Sequence, residues 1–204
     1  MARIGGRSLW LAWPAGLVCA GVVGVLAWLA LPGLPATFAF VGDTLRAAST
    51  RTEAPQPPPL ATVALDGSAD IDCRDLYPRT LWGELAWAPD AMLMQNRAAP
   101  ATSVATLVDA LQPVVRVTCA WHGPLGSIVS TLAVVDAGAA AVADAALRAQ
   151  GFACEAFESG VACRRESGGI VEEEAVRDGL WLSSVERQWH PDDYGARLAQ
   201  SVWG

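Results

Sequence analysis

The sequence predicts an α+β fold, a mostly antiparallel sheet with helices on one face, preceded by a single N-terminal transmembrane helix. Three observations predict it. Residues 9–31 carry no charge. Segments rich in β-branched residues alternate with short turns between residues 114 and 185, as in antiparallel sheets. Segments with helical spacing of apolar residues lie before, between and after these strands.

The first element is the apolar segment from Leu9 to Leu31, whose twenty-three residues are enough to span a bilayer core of about 30 Å. Arg3 and Arg7 precede it and Asp43 is the first charge after it. The positive-inside rule therefore places residues 1–8 in the cytoplasm and the rest of the chain outside the cell membrane. The alternative is a cleaved secretory signal, but the apolar stretch of such signals is shorter, about 7–15 residues.

Small residues recur every four positions in this segment, at Ala12, Gly16, Ala20 and Gly24. Such spacing aligns them on one helix face, where close backbone approach favours helix association in lipid. One hypothesis is a weak homodimer, or pairing with another membrane helix, through this face. The alternative is a plain anchor, because Ala and Gly are abundant throughout the chain.

Residues 32–70 follow as a proline-rich extracytoplasmic linker, with four prolines between positions 55 and 59. Proline-rich segments are stiff and extended. The folded extracytoplasmic domain is therefore expected to span residues 71–204.

Four helices are expected in this domain. Pro78 suits the first turn of one helix, and Thr102 or Ser103 can cap a second that Pro113 ends. The third is the alanine-rich segment 137–150, which Asp136 caps and Gly151 closes, and the fourth begins at Pro191.

The strands are expected as hairpins. Residues 114–121 and 127–135 flank the turn Gly-Pro-Leu-Gly, and two more hairpins cover residues 152–166 and 170–185. The hairpin of residues 152–166 places Cys154 directly opposite Cys163. Because cross-strand Cβ atoms lie about 4.5–5.5 Å apart, modest adjustment allows a disulfide. Cys73 then pairs with Cys119, and an oxidising compartment preserves both bonds.

The alternative use of these cysteines is a zinc site formed by Cys119, His122, Cys154 and Cys163. It requires reduced thiols outside the cell, and only one closely spaced ligand pair is present. We therefore expect no metal and no cofactor.

The charge distribution excludes nucleic acid as a partner. From Asp43 onward, twelve arginines stand against twenty-one acidic residues, and no basic stripe with aromatic residues is present. The six tryptophans after residue 80 are expected mostly in the core, with one or two free to line a glycan or peptide cleft.

Catalytic motifs are also lacking, since neither His122 nor His190 is accompanied by a nucleophile elbow, a zinc-protease helix or a phosphate-binding loop. Glu172 and Glu174 share one face of a strand and Glu173 lies on the other, which indicates a solvated edge. A catalytic residue is therefore not assigned. The alternative is an enzyme that modifies the cell wall or lipid and uses His122 or His190.

A resemblance to a known group of domains rests on five segments of the chain. They are CRDLYP, VTCAW, GFACEAFESGVAC, RDGLWLS and WHPDDYGARL. Their layout resembles small two-disulfide extracytoplasmic domains of actinobacterial lipoproteins, membrane-anchored proteins and sensor ectodomains, over residues 71–203. The resemblance implies a binding, sensing or scaffolding protein of the cell envelope, and it transfers no catalytic residue. The expected partners are the bilayer and an envelope protein, peptide or glycan.

Overall fold

The structure is a computed structural model that describes residues 17–26 and 58–204. The described residues belong to two units, residues 17–26 to the first and residues 58–204 to the second. The elements of the second unit are α1 (Leu60–Asp66), α2 (Cys73–Leu76), α3 (Arg79–Ala86), β1 (Met92–Asn96), α4 (Ala105–Leu111), β2 (Val114–Gly123), β3 (Gly126–Val134), α5 (Ala139–Ala149), β4 (Ala153–Phe157), β5 (Gly160–Ser167), β6 (Ile170–Arg177), β7 (Leu180–Arg187) and α6 (Tyr194–Trp203).

In the first unit, residues 17–26 are helical and exposed, and they include Ala20 and Gly24. Within residues 17–26 and 58–204, every helix is too short or too polar to span a bilayer. Ala12, Gly16 and the two ends of the segment 9–31 lie outside the described residues, so the transmembrane assignment and its association face stay predictions.

The second unit is built on one seven-stranded sheet with the order β1-β2-β3-β7-β6-β5-β4, in which every neighbouring pair is antiparallel. The α+β class and the antiparallel sheet are therefore confirmed. Strand register assigns each side chain to one of two faces. The front face carries Trp121, Leu132 and Leu182, and the back face carries Trp181 and Val176.

Helices cover both faces, so the expectation of helices on one face was wrong. α1, α2, α3 and α6 pack on the front face, where Leu81 and Leu198 are fully buried. α4 and α5 pack on the back face through Leu107 and Leu147. The physical reason lies in β7, whose residues are buried at every position from Leu180 to Glu186 and therefore require cover on both sides.

The folded unit also begins earlier than expected, because α1 lies within the segment predicted as linker. Leu60, Val63 and Ala64 form an apolar stripe at helical spacing, and Ala64 is fully buried against the front face. The linker therefore cannot extend to residue 70.

The three expected hairpins are present. β1 was not expected, and β5 and β6 form a further hairpin through Gly168 and Gly169. α5 begins at Ala139 without a side-chain cap, so Asp136 does not play its expected role.

Both disulfides join the expected cysteines. Cys154 and Cys163 are opposite each other in the β4–β5 ladder, with Cα atoms 4.0 Å apart, and we call this bond the hairpin disulfide. Cys73 and Cys119 join α2 to β2, with Cα atoms 5.7 Å apart, and we call this bond the long-range disulfide. Cys19 is free and exposed.

Candidate functional site

The front face of the sheet is only partly covered by helices, and the uncovered part forms a groove. α6 is the last helix of the front layer, and beyond it the front face of β4, β5 and β6 borders open space of about 470 Å³. We call this space the alanine groove. Small and apolar side chains shape it: Ala153, Ala162, Ala175 and Leu182 from the sheet, and Ala196 and Ala199 from α6.

Strand register explains why the groove is deep. Ala162 of β5 pairs with Ala175 of β6, which in turn pairs with Leu182 of β7, so at this level of the sheet two adjacent strands present methyl groups to the front. Larger side chains at these two positions would fill the space beside α6. The groove is thus the result of side-chain size at particular positions and not of a gap in the backbone.

One end of the groove is closed by aromatic rings. Phe157 at the end of β4 packs edge to face against Trp203 of α6, with ring centroids 5.4 Å apart. The Arg177 guanidinium lies 5.3 Å from the Phe157 centroid, within cation–π range. These contacts tie α6 to the edge strand and fix the width of the groove at this end.

The other end of the groove is polar and consists of Arg164 and Glu173. The Arg164 Nε lies 3.3 Å from Glu173 Oε1, and about half of the Arg164 side chain remains exposed. Burial raises the pKa of the Glu173 carboxyl; the Asp193 charge raises it further and the Arg164 charge opposes the shift. Glu173 Oε2 is buried and has no hydrogen-bond partner. The polar end therefore offers an exposed donor beside a carboxylate that is only partly neutralised.

Gly195 allows this arrangement. A Cβ atom at Gly195 would lie 2.0 Å from Glu173 Oε2, far inside van der Waals contact. α6 begins without a side-chain cap, since Asp193 makes none, and the Glu173 carboxylate lies at this helix N-terminus. Negative charge at that position is favourable because the helix dipole is positive there.

A second buried polar cluster lies next to the groove on the front face. Glu186 pairs with His190, whose Nδ1 lies 3.3 Å from Glu186 Oε2. Burial raises the pKa of Glu186 to about 8; the nearby Glu173 charge adds to the shift and Arg164 opposes it. Both carboxyl groups lie on the front face, and the charge of Glu173 disfavours ionisation of Glu186.

The two histidines are not brought together. His122 points to the back face of β2, opposite Ser127 of β3, whereas His190 contacts Glu186 of the front face. Among residues 17–26 and 58–204, no hydroxyl group is hydrogen-bonded to either ring.

The glutamate run is buried, so its interpretation as a solvated edge was wrong. β6 lies inside the sheet between β5 and β7, and α4 and α5 cover its back face, where Glu172 and Glu174 are 3% and 1% exposed. Strand position in the sheet, which the local pattern does not reveal, decides this outcome.

Glu172 has a structural role on the back face. Its Oε1 accepts hydrogen bonds from Thr102 Oγ1 at 2.6 Å and from the Ser103 amide at 2.7 Å. Its Oε2 accepts one from Ser103 Oγ at 2.7 Å and pairs with Arg165 at 3.2 Å. Thr102 and Ser103 therefore fix the segment before α4 to the sheet and do not cap the helix as expected.

Glu174 accepts a 2.7 Å hydrogen bond from Trp181 Nε1 and a 3.1 Å bond from Ser183 Oγ. Burial raises the pKa of Glu174 to about 8, and the Glu172 charge adds to the shift. The carboxyl is therefore mainly neutral at pH 7. It satisfies the indole of a fully buried tryptophan and is part of the core.

The alternative zinc site is not formed. Three of its four expected ligands, Cys119, Cys154 and Cys163, form disulfides and offer no thiolate to a metal. Asp144 lies near the sulfurs of the hairpin disulfide, but those sulfurs carry no thiolate.

The tryptophans divide by exposure. Trp121, Trp181 and Trp189 are buried in the core, as expected for most of them, and Trp82 and Trp203 are half-buried. Trp87 is 89% exposed, directly after α3 and before β1. Trp203 contacts Phe157, which lines the alanine groove.

Sequence reasoning did not find the groove. The residues that shape it are mostly alanines, whose functional value depends on what lies opposite them. Comparison with protein-family models, with curated proteins and with solved structures finds no match. The function therefore has to be inferred from the geometry of the site.

Proposed function

We propose that this chain is a single-pass membrane protein of the cell envelope whose extracytoplasmic domain binds a small amphiphilic ligand in the alanine groove. The observation that carries the proposal is the space of about 470 Å³ on the front face, lined mainly by small apolar side chains together with the charged Glu155, Arg164 and Glu173. Ligand pockets for small molecules have volumes of about 300–1,000 Å³ and mostly apolar walls with a few polar groups.

The proposed location has two supports. Two disulfides are typical of an oxidising compartment outside the cytoplasm. The uncharged segment 9–31, preceded by Arg3 and Arg7, has the length and flanking charges of an N-terminal anchor. Both features fit the resemblance to actinobacterial envelope domains.

The lining of the groove defines the ligand chemistry. The methyl-lined floor favours a hydrocarbon or aromatic body, because apolar surface gains about 25 cal/mol for each Å² removed from water. Arg164 can donate hydrogen bonds to a head group and Glu173 can accept them, so the head group has to be polar.

The test uses 1-anilinonaphthalene-8-sulfonate, which combines an aromatic body with an anionic head. Residues 57–204 are a suitable fragment, since this unit contains the whole sheet, both disulfides and both buried clusters. We expect the dye to bind with increased fluorescence, and Ala162→Trp to weaken binding by about tenfold or more because the indole fills the floor.

The matched control is Ala149→Trp, at an exposed position near the end of α5 on the opposite face. It should bind the dye like the parent. Equal binding by the two tryptophan variants would show that the dye binds elsewhere and would contradict the groove as the ligand site.

The enzymatic alternative rests on the contact of His190 with Glu186, because a buried carboxyl group can orient a histidine that acts as a base. A hydrolase also needs a nucleophile within reach of that base. Turnover of a chromogenic ester that is lost in His190→Gln would favour the enzyme over the binding protein.

A further inference from the structure

The two edges of the sheet differ in how they are protected. β4 forms one edge, where Arg148 donates a 2.8 Å hydrogen bond to the Cys154 carbonyl and Glu155 adds a charge. β1 forms the other edge, and its sequence Met-Leu-Met-Gln-Asn carries no charge. Exposed edge strands pair readily with further strands unless charges, prolines or covering groups prevent it.

β1 is held firmly on its inner side. Its five residues pair with β2, and the Gln95 side chain accepts a 2.8 Å hydrogen bond from the Cys73 amide. Within the part of the chain that the structure describes, no element other than β2 pairs with the backbone of β1. Among the described residues, the outward N–H and C=O groups of β1 therefore have no backbone partner.

The side chains of β1 are unusually apolar for an exposed strand. Met92 and Met94 point to the back face and are 67% and 54% exposed. Trp87, close before the strand, is almost fully exposed as well. Apolar side chains that are exposed together on an edge indicate an interaction surface.

We infer that β1 pairs with β1 of a second copy of this chain, antiparallel and about a two-fold axis at Met94. Met94 is the middle residue of the strand, so this register pairs all five residues. Met94 faces its own counterpart, and Met92 faces Asn96 of the second copy. The two sheets become one continuous sheet.

Charge complementarity favours a second copy as the occupant. Although the chain has a net charge of -7, the paired strands are uncharged and bring no like charges together. Immediately outside the strands, Arg97 lies opposite Ala91 of the second copy and therefore next to Asp90 there. In one copy Arg97 forms a 2.8 Å ion pair with Asp70, and both side chains are largely exposed, so the Arg97 charge is accessible. The same opposite-charge neighbours recur at both ends by symmetry.

Pairing through the five residues of β1 makes a small interface, whereas stable interfaces bury roughly 1,200–2,000 Å². We therefore expect a weak dimer that forms at high protein concentration.

Cysteine cross-linking of the full chain tests the register, in a Cys19→Ser background that removes the free thiol. Met94→Cys should form an interchain disulfide under mild oxidation, because residues opposite each other have Cβ atoms about 4.5–5.5 Å apart. Met92→Cys is the matched control. It has similar exposure on the same face, but its counterpart lies four residues along the partner strand, about 14 Å away. Equal cross-linking of both variants, or of neither, overturns the proposal.

Sedimentation of the full chain in detergent micelles gives a second readout. Met94→Lys should raise the dimer dissociation constant about fivefold or more, since it places like charges directly opposite each other. Val142→Lys, at an exposed apolar position on α5, should leave it unchanged. If Met94→Lys leaves the dissociation constant unchanged, the dimer is held by other contacts, such as the N-terminal helix, and the proposed β1 interface is wrong.

Discussion

Replacement of Glu174 by Gln should change the way in which stability depends on pH. Glu174 is 1% exposed and has a pKa of about 8 in the folded domain, against 4.5 for an ordinary glutamate. Between these two values the folded state holds a proton that the unfolded state has lost. Stability therefore falls as pH rises, by about 1.4 kcal/mol per pH unit. The wild-type domain loses on the order of 3 kcal/mol between pH 4.5 and 7 through this group alone.

Glu174→Gln cannot ionise, yet its amide oxygen can still accept the hydrogen bond from Trp181 Nε1. Urea denaturation under non-reducing conditions, at intervals between pH 5 and 7.5, measures the difference in unfolding free energy between variant and wild type. This difference should grow in favour of the variant by about 1.4 kcal/mol per pH unit. Glu166→Gln, at an exposed position, serves as the control with a constant difference. A constant difference for Glu174→Gln as well would refute a neutral buried carboxyl.

Two further predictions concern α6 and the disulfides. Gly195→Ala should destabilise the domain by about 1–3 kcal/mol in urea denaturation, because the added Cβ collides with Glu173. The control is Gly83→Ala in the open middle of α3, which should be neutral or stabilising. Equal effects of the two substitutions would contradict the packing at Gly195. Loss of the long-range disulfide through Cys73→Ala and Cys119→Ala should cost more than loss of the hairpin disulfide, about 4 against 2.7 kcal/mol, because its loop is longer. The reverse order in denaturation midpoints would contradict the loop-entropy explanation.

Features of the fold that depend on neighbouring residues were predictable from the sequence. The β4–β5 hairpin follows from a turn between two β-rich segments, and the pairing of Cys154 with Cys163 follows from the hairpin. The pairing of Cys73 with Cys119 then follows by elimination. These inferences succeed because turn chemistry and strand alternation act over a few residues.

Features that depend on strand order were not predictable. Three successive glutamates normally indicate solvent, and only the position of β6 between β5 and β7 shows that Glu172 and Glu174 are buried. β1 is too short to have a strand signal of its own, and its apolar and polar residues do not alternate. The alanine groove depends on where α6 lies across the sheet, and an alanine such as Ala162 gives no indication of what faces it.

The strand order also divides the domain into two chain-contiguous halves. β1, β2 and β3 form one meander and β4 to β7 form another, and within the sheet the two are joined only by the β3–β7 ladder. The long-range disulfide lies in the first half and the hairpin disulfide in the second, so no covalent cross-link bridges that ladder. A single backbone cut before α5, between residues 135 and 138, consequently leaves two separately stapled fragments. Hydrogen bonds and packing alone hold them together, which makes this junction the natural place at which to divide the domain into complementing halves.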